Sequence, residues 1–143
     1  MDLENTQSQM RKGILEYCVL QVISCGECYS SDIIDRLKSV EMIVVEGTLY
    51  PLLTRLKNAG LLQYKWEESE SGPPRKYFSL TTHGDNFLKS LDTTWIQLAN
   101  AVNHFREYRQ ELAEQHSERC DFTSSDFPNN PNESSDSIKP ANS

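Results

Sequence analysis

The sequence predicts a mainly α-helical fold carrying one small β-hairpin, followed by a long C-terminal helix. Three observations point there. Apolar residues recur at helical spacing in three early segments. A single stretch, 61–80, alternates at the two-residue period of a strand and carries turn residues in its middle. Finally, from residue 81 onward the apolar spacing settles into alternating steps of three and four.

The first helix is expected over 9–24, where Leu15, Val19, Val22 and Ile23 form one face and Cys25-Gly26 ends it, Gly26 suiting a left-handed cap. Ser30 or Ser31 then caps a second helix to about Val40, with Asp32 in its first turn and Ile33, Ile34 and Leu37 inward. A third runs from about Glu46 to Ala59, with Leu49, Leu52, Leu53 and Leu56 inward and Gly60 after it. Its opposite face carries Gly47, Pro51, Thr54 and Asn58, flanked by Thr48, Tyr50, Arg55 and Lys57. Pro51 lies near the end of the first turn, where a missing N–H costs least.

Leu62, Tyr64 and Trp66 alternate with polar residues, which predicts a strand with one buried face. Ser69–Pro74 reads as the turn, and Lys76–Leu80 as the returning strand. A lone hairpin is marginal, so it must lie on the helices. Three helices followed by a hairpin is the order of a winged helix-turn-helix. Thr81 or Thr82 can cap the fourth helix, which is expected over 81–116. Leu88, Leu91, Trp95, Leu98, Val102 and Phe105 form its stripe, and Leu112 resumes the phase after Arg109. Such a stripe wants a partner helix, and a second copy of the chain supplies one. The alternative is that the helix folds back on its own domain.

Residues 117–143 shift to Ser, Asn, Asp, Glu and Pro and are expected to be disordered. The expected domains are therefore 1–80, 81–116 and this tail. The acidic bias is uneven along the chain. Of the net −7, residues 1–112 hold 12 Lys and Arg against 15 Asp and Glu, whereas 113–143 hold 2 against 6. A body so close to neutral can present a cationic face. No run approaches the length needed to cross a bilayer and no leader is evident at the N-terminus, so the cytoplasm is the expected compartment.

Cys25 and Cys28 have a Cys-x-x-Cys spacing, but neither Cys18 nor Cys120 repeats it, so a zinc site is disfavoured and structural thiols are expected, with thiol sensing the alternative. His83, His104 and His116 have no ligand spacing, and there is no phosphate loop or nucleophile motif. Neither an enzyme nor a cofactor is expected.

In a helix-turn-helix, the second helix of the motif lies in the major groove. Arg55 and Lys57 can meet phosphates or guanine, Thr48, Thr54 and Asn58 can hydrogen-bond, and Tyr50 can donate to a phosphate. Composition alone fits a solvated face equally well. Arg75 and Lys76, beside Gly72-Pro73-Pro74 in the hairpin, favour a DNA-facing wing, and Arg11 and Lys12 can extend the cationic strip. Glu67, Glu68 and Glu70 dilute it, which leaves open a winged module that binds protein rather than DNA.

Glu46-Gly47-Thr48-Leu49-Tyr50-Pro51-Leu52-Leu53-Thr54-Arg55-Leu56, then Gly60-Leu61, then Gly72-Pro73-Pro74-Arg75-Lys76-Tyr77-Phe78-Ser79-Leu80-Thr81 and Gly84, together with Arg11-Lys12-Gly13-Ile14-Leu15-Glu16-Tyr17, resembles the PadR family of transcriptional regulators. The resemblance spans about 10–105. It implies a winged-helix homodimer, most often a repressor, paired through the long C-terminal helix. It also implies that Tyr29, Thr48, Tyr50, Arg55, Arg75 and Lys76 face double-stranded DNA. Some members with a tryptophan near the place of Trp95 stack flat aromatic ligands there, which would make Trp95, Leu91 and Leu98 a pocket for a small aromatic effector. Plain dimer packing is the other role open to Trp95. Three departures stand out. Tyr29-Ser30-Ser31 replaces a Tyr-Gly-Tyr, Val45 replaces a polar helix cap, and Thr82-His83 replaces an acidic pair.

Overall fold

The computed structural model describes residues 1–121 of the chain. Its elements are α1 (Leu3–Ser24), α2 (Ser30–Ser39), α3 (Glu46–Asn58), β1 (Leu62–Ser69), β2 (Gly72–Leu80) and α4 (Thr82–Asp121). Three helices, an antiparallel hairpin and one long helix follow in the predicted order. Two units are distinguished, Met1–Leu98 and the part from Ala99 onward. The α4 helix runs on through 117–121, which the sequence assigned to a disordered tail. Residues 122–143 of that tail lie outside the described residues.

Helix α1 starts six residues earlier than its apolar periodicity suggests, at Leu3 instead of residue 9. Asp2 makes the start possible, its Oδ1 accepting the Glu4 N–H at 3.1 Å. The turns it adds are polar and exposed, so no hydrophobic period marks them. At α2 the cap position belongs to Tyr29, and Ser30 and Ser31 lie within the helix. Asp32 reaches back to accept the Tyr29 N–H at 3.0 Å, which satisfies a donor that the first turn leaves over. Beyond α2, Glu41 takes a positive φ of 63°, and the Met42 N–H returns to the Leu37 carbonyl at 2.9 Å. Val45 stands at the cap position before α3, and its side chain makes no capping bond.

Leu49, Leu52, Leu53 and Leu56 of α3 are buried as their spacing predicts, against Val19, Leu20 and Ile23 of α1 and Ile33 and Leu37 of α2. Cys28 seals the hairpin to this core. Its N–H donates to the Phe78 carbonyl at 3.2 Å and its carbonyl accepts the Phe78 N–H at 2.9 Å. Burial pushes the Cys28 thiol up to about 11, whereas Cys25 is exposed. A thiol so strongly held protonated is a poor nucleophile, which counts against a Cys25–Cys28 sensor. Among the described residues no group of His, Cys, Asp and Glu is placed to hold a metal ion, and no helix is long and apolar enough to cross a membrane.

The hairpin is longer and tighter than expected. Ser69 pairs with Gly72, so the turn is Glu70-Ser71 and β2 includes Pro73 and Pro74. Prolines are tolerated there because an edge strand leaves N–H positions without ladder partners. Arg75, expected between the turn and the returning strand, consequently joins Lys76 within β2. Trp66, expected on the buried face, is 61% exposed, since this part of the hairpin extends past the helices that cover Leu62 and Phe78.

The start of α4 is locked to the end of α3. The Thr81 hydroxyl donates to the Gly60 carbonyl at 2.6 Å and accepts the Gly84 N–H at 2.9 Å. The Thr81 N–H donates to the Leu61 carbonyl at 3.0 Å. Leu88, expected on the dimerisation stripe, is only 5% exposed and belongs to the core of its own chain. Leu91 packs partly against the same core. The register that points Leu88 inward is set by this tight junction.

Candidate nucleic-acid interface

Between the start of α2, the outer face of α3 and the hairpin lies a cleft of about 500 Å³. Tyr29, Tyr50, Thr54, Lys57, Asn58, Arg75 and Lys76, all singled out from sequence, line it together. Two others are elsewhere. Thr48 opens on a second groove, of about 370 Å³, with Arg11 and Lys12 of α1. Arg55 pairs with Glu16 of α1, Nη2 to Oε2 at 3.4 Å, so its charge is partly answered within the chain.

Each cleft residue is placed by local geometry. The one-turn rise between Tyr50 and Thr54, and between Thr54 and Asn58, keeps them on one side of α3, with the leucines on the other. The hydroxyls of Tyr50 and Ser30 lie 3.2 Å apart, tying the start of α2 to α3. Tyr29 is half-buried, its ring centroid 3.8 Å from that of Tyr77.

Some of the described cations are answered by carboxylates and others by rings. Lys65 is answered by Glu27 at 2.9 Å and Glu67 at 3.2 Å, which also removes Glu67 from the acids diluting the wing. These carboxylates hold the Lys65 ammonium above its ordinary pKa. Lys89 is answered by Asp85 at 2.8 Å. The cleft cations instead sit over rings. Arg75 lies 5.1 Å from the Tyr29 centroid. Lys76 lies 4.6 Å from Tyr64 and 5.3 Å from Trp66, and Lys57 lies 5.4 Å from Tyr64. A ring orders a cation by its quadrupole and leaves the positive charge intact.

Tyr64, Trp66 and Ser30 are therefore cleft residues that sequence reasoning missed, having assigned the two aromatics to a buried face. The signal was present in the hairpin itself. Once the strands are paired, Trp66 stands directly across from Lys76 and Tyr64 across from Phe78.

Away from the cleft, a polar cluster joins α1 to α4. The Tyr17 hydroxyl and the Gln21 amide both donate to Asp92 Oδ1, the latter at 2.7 Å. The bond to Asp92 pushes the Tyr17 hydroxyl pKa up, because it favours the protonated phenol. The Tyr17 ring is 6.2 Å from Trp95. Of the expected stripe on α4, Trp95, Leu98, Val102 and Phe105 are exposed in the single chain, as is Leu112 beyond them.

Comparison with known proteins agrees with this architecture. The sequence model of the transcriptional regulator PadR-like family matches residues 19–90, half of the chain. A PadR-like transcription factor from Bacteroides fragilis is 56% identical, with 71% of this chain and 98% of that one covered and a TM-score of 0.61. A PadR-like transcriptional regulator from Bacillus cereus is 35% identical, with 68% and 95% covered and a TM-score of 0.62. A PadR family regulator from Eggerthella lenta is 28% identical, with 73% and 92% covered and a TM-score of 0.67. These relatives are transcription regulators, not enzymes. On the matched sequence and on the shared fold alike, the chain belongs to the PadR-like family of transcriptional regulators.

Proposed function

We propose that the chain binds double-stranded DNA as a homodimer and represses transcription in the bacterial cytoplasm. On this reading α3 enters the major groove and the hairpin lies along the phosphate backbone. The observation that carries it is the cleft, where the polar face of α3 meets Lys57, Arg75 and Lys76, three cations in no described ion pair against Glu46 as the one carboxylate among the lining residues. Phosphates are the complementary partner for such a surface, and Thr54 and Asn58 supply the groups that read base edges.

Fluorescence anisotropy with the duplex upstream of the chain's own gene, over a salt series, tests the reading. Binding should weaken steeply with salt, and Lys57→Ala with Lys76→Ala should reduce the log–log slope by about two. Asn58→Ala should instead relax sequence preference, by about 1–3 kcal/mol at the base it reads. A wild-type protein that forms no sequence-preferring complex at any salt defeats the proposal. So does a double variant that binds as the wild type does.

A small aromatic effector belongs to the same proposal. Leu91 is held by the core, which leaves Trp95 and Leu98 as the surface for a flat ligand. The chain has two tryptophans, so Trp66→Phe leaves Trp95 as the only indole reporter. Planar aromatic dyes should then quench its fluorescence and lower DNA affinity. Dyes that do neither remove the effector from the proposal.

A further inference from the structure

We propose that Tyr29, Tyr64 and Trp66 are positioning residues, whose ring faces hold Lys57, Arg75 and Lys76 ready for a phosphodiester backbone without neutralising them. The inference rests on the DNA-binding reading and assigns the work within that site.

The argument begins with what holds each cation. Outside the cleft, Arg55, Lys65 and Lys89 each have a carboxylate partner, so each is ordered at the expense of its field. Inside it, Lys57, Arg75 and Lys76 are ordered by rings. A free lysine or arginine side chain carries rotamer entropy that binding to a phosphate must otherwise remove. Restricting the side chain beforehand lowers that cost, and a ring does so while the full positive charge stays available.

The rings are themselves anchored. Tyr64 stands 5.9 Å from Phe78, which is part of the core, and Trp66 meets Tyr64 edge-on at 6.1 Å and 88°. An aromatic ladder thus climbs from the core to the outer part of the hairpin. Tyr64 has a further property. It takes Lys57 from α3 and Lys76 from β2 around one ring, so the reading helix and the wing present their charges in a fixed relation. Tyr29 takes Arg75 alone, and Tyr77 packs against Tyr29 in turn. The exposure of Trp66 also finds a reason, since its face is shared with Lys76, its partner across the strands.

The test uses the full chain and a labelled random-sequence duplex of about 20 base pairs, followed by anisotropy across a salt series. Tyr64→Leu should weaken binding about three- to tenfold and Trp66→Leu about two- to fivefold, as expected for one or two cation–ring contacts. Tyr64→Phe, which keeps the ring, should bind as the wild type does. In a Lys57→Ala, Lys76→Ala background, Tyr64→Leu should add less than about twofold, because the residue acts through those cations. Thermal melting shows which variants stay folded, and the exposed site of Trp66 keeps that variant informative if Tyr64→Leu is unstable. Folded leucine variants with wild-type affinity would overturn the inference while leaving DNA binding intact. Equal losses in Tyr64→Phe and Tyr64→Leu would overturn it in favour of a contact from the hydroxyl. A wild-type chain that binds no duplex even at the lowest salt removes the DNA-binding reading, and this inference with it.

Discussion

A Cβ placed on Gly84 would stand 2.0 Å from the Leu61 carbonyl oxygen and 2.9 Å from its carbon. Both are backbone atoms already fixed by the Thr81 hydrogen bond, so neither can yield cheaply. Gly84→Ala should therefore cost at least about 2 kcal/mol, read as a lowered denaturant midpoint. Two other positions carry the opposite sign. Val45 leaves the first turn of α3 without a side-chain acceptor, so Val45→Ser should add about 1 kcal/mol. Glu41 holds a left-handed φ that glycine adopts freely, so Glu41→Gly should add about 0.5–1 kcal/mol. If either variant lowers the midpoint, the residue has a role beyond its backbone. Cys28 gives a dependence on pH. Its thiol is favoured in the folded state, pushed from 9.0 up to about 11. Its contribution is therefore complete below the unfolded value and is lost as pH rises from about 9 to 11. Cys28→Ala should flatten stability across that window, as measured by urea melts at several alkaline pH values.

At the scale of elements, what was legible in the sequence was whatever a period could encode. The four leucines of α3 and the step-three, step-four stripe of α4 state their faces directly, and the structure buries the first set as read. The polar start of α1 has no such face, and only the cap at Asp2 signals it. Pro73 and Pro74 looked like turn residues because proline lacks a donor, yet at an edge strand that lack is harmless. Alternation in β1 correctly placed Tyr64 and Trp66 on one side. It does not encode how far the covering helices reach, which is why Trp66 departs from the buried face that alternation predicts. For the cleft, single residues on α3 and β2 were readable one at a time. The aromatic floor that brings Lys57 and Lys76 around one ring depends on the hairpin register, a pairing between distant positions. The α1–α4 polar cluster was missed for the same reason, since Tyr17 and Asp92 are far apart in sequence. Tyr17→Phe removes a donor from the half-buried Asp92 carboxylate and should cost about 1–2 kcal/mol, with Gln21 keeping one bond in place. A thermal melt unchanged by this substitution would show that the cluster does not hold α4 to α1.

For the molecule as a whole, the question is what covers the apolar stripe of α4. Leu88 and Leu91 are engaged with their own core, so the residues that remain are Trp95, Leu98, Val102 and Phe105, with Leu112 farther on. Alternating steps of three and four keep such a stripe in phase along a paired helix, whereas a lone helix would leave it in water. A two-fold pairing uses the same stripe on both chains, so one substitution acts twice. Val102→Glu with Phe105→Glu would set four carboxylates in that seam, where burying them costs far more than the exposed i,i+4 pairs they could make with Arg106 and Arg109 return. The expected result is a shift in sedimentation equilibrium from twice the 16.4 kDa chain mass to the chain mass itself. The helical circular dichroism of the winged unit should persist, because neither residue contributes to its core. DNA affinity should fall as well, since a monomer engages one half-site where a dimer engages two. Trp66→Leu serves as the control, weakening DNA binding while sedimenting as a dimer. A doubly substituted chain that still sediments at twice its mass would show that the stripe is not the pairing surface, and would leave the wing and α3 to account for DNA binding on their own.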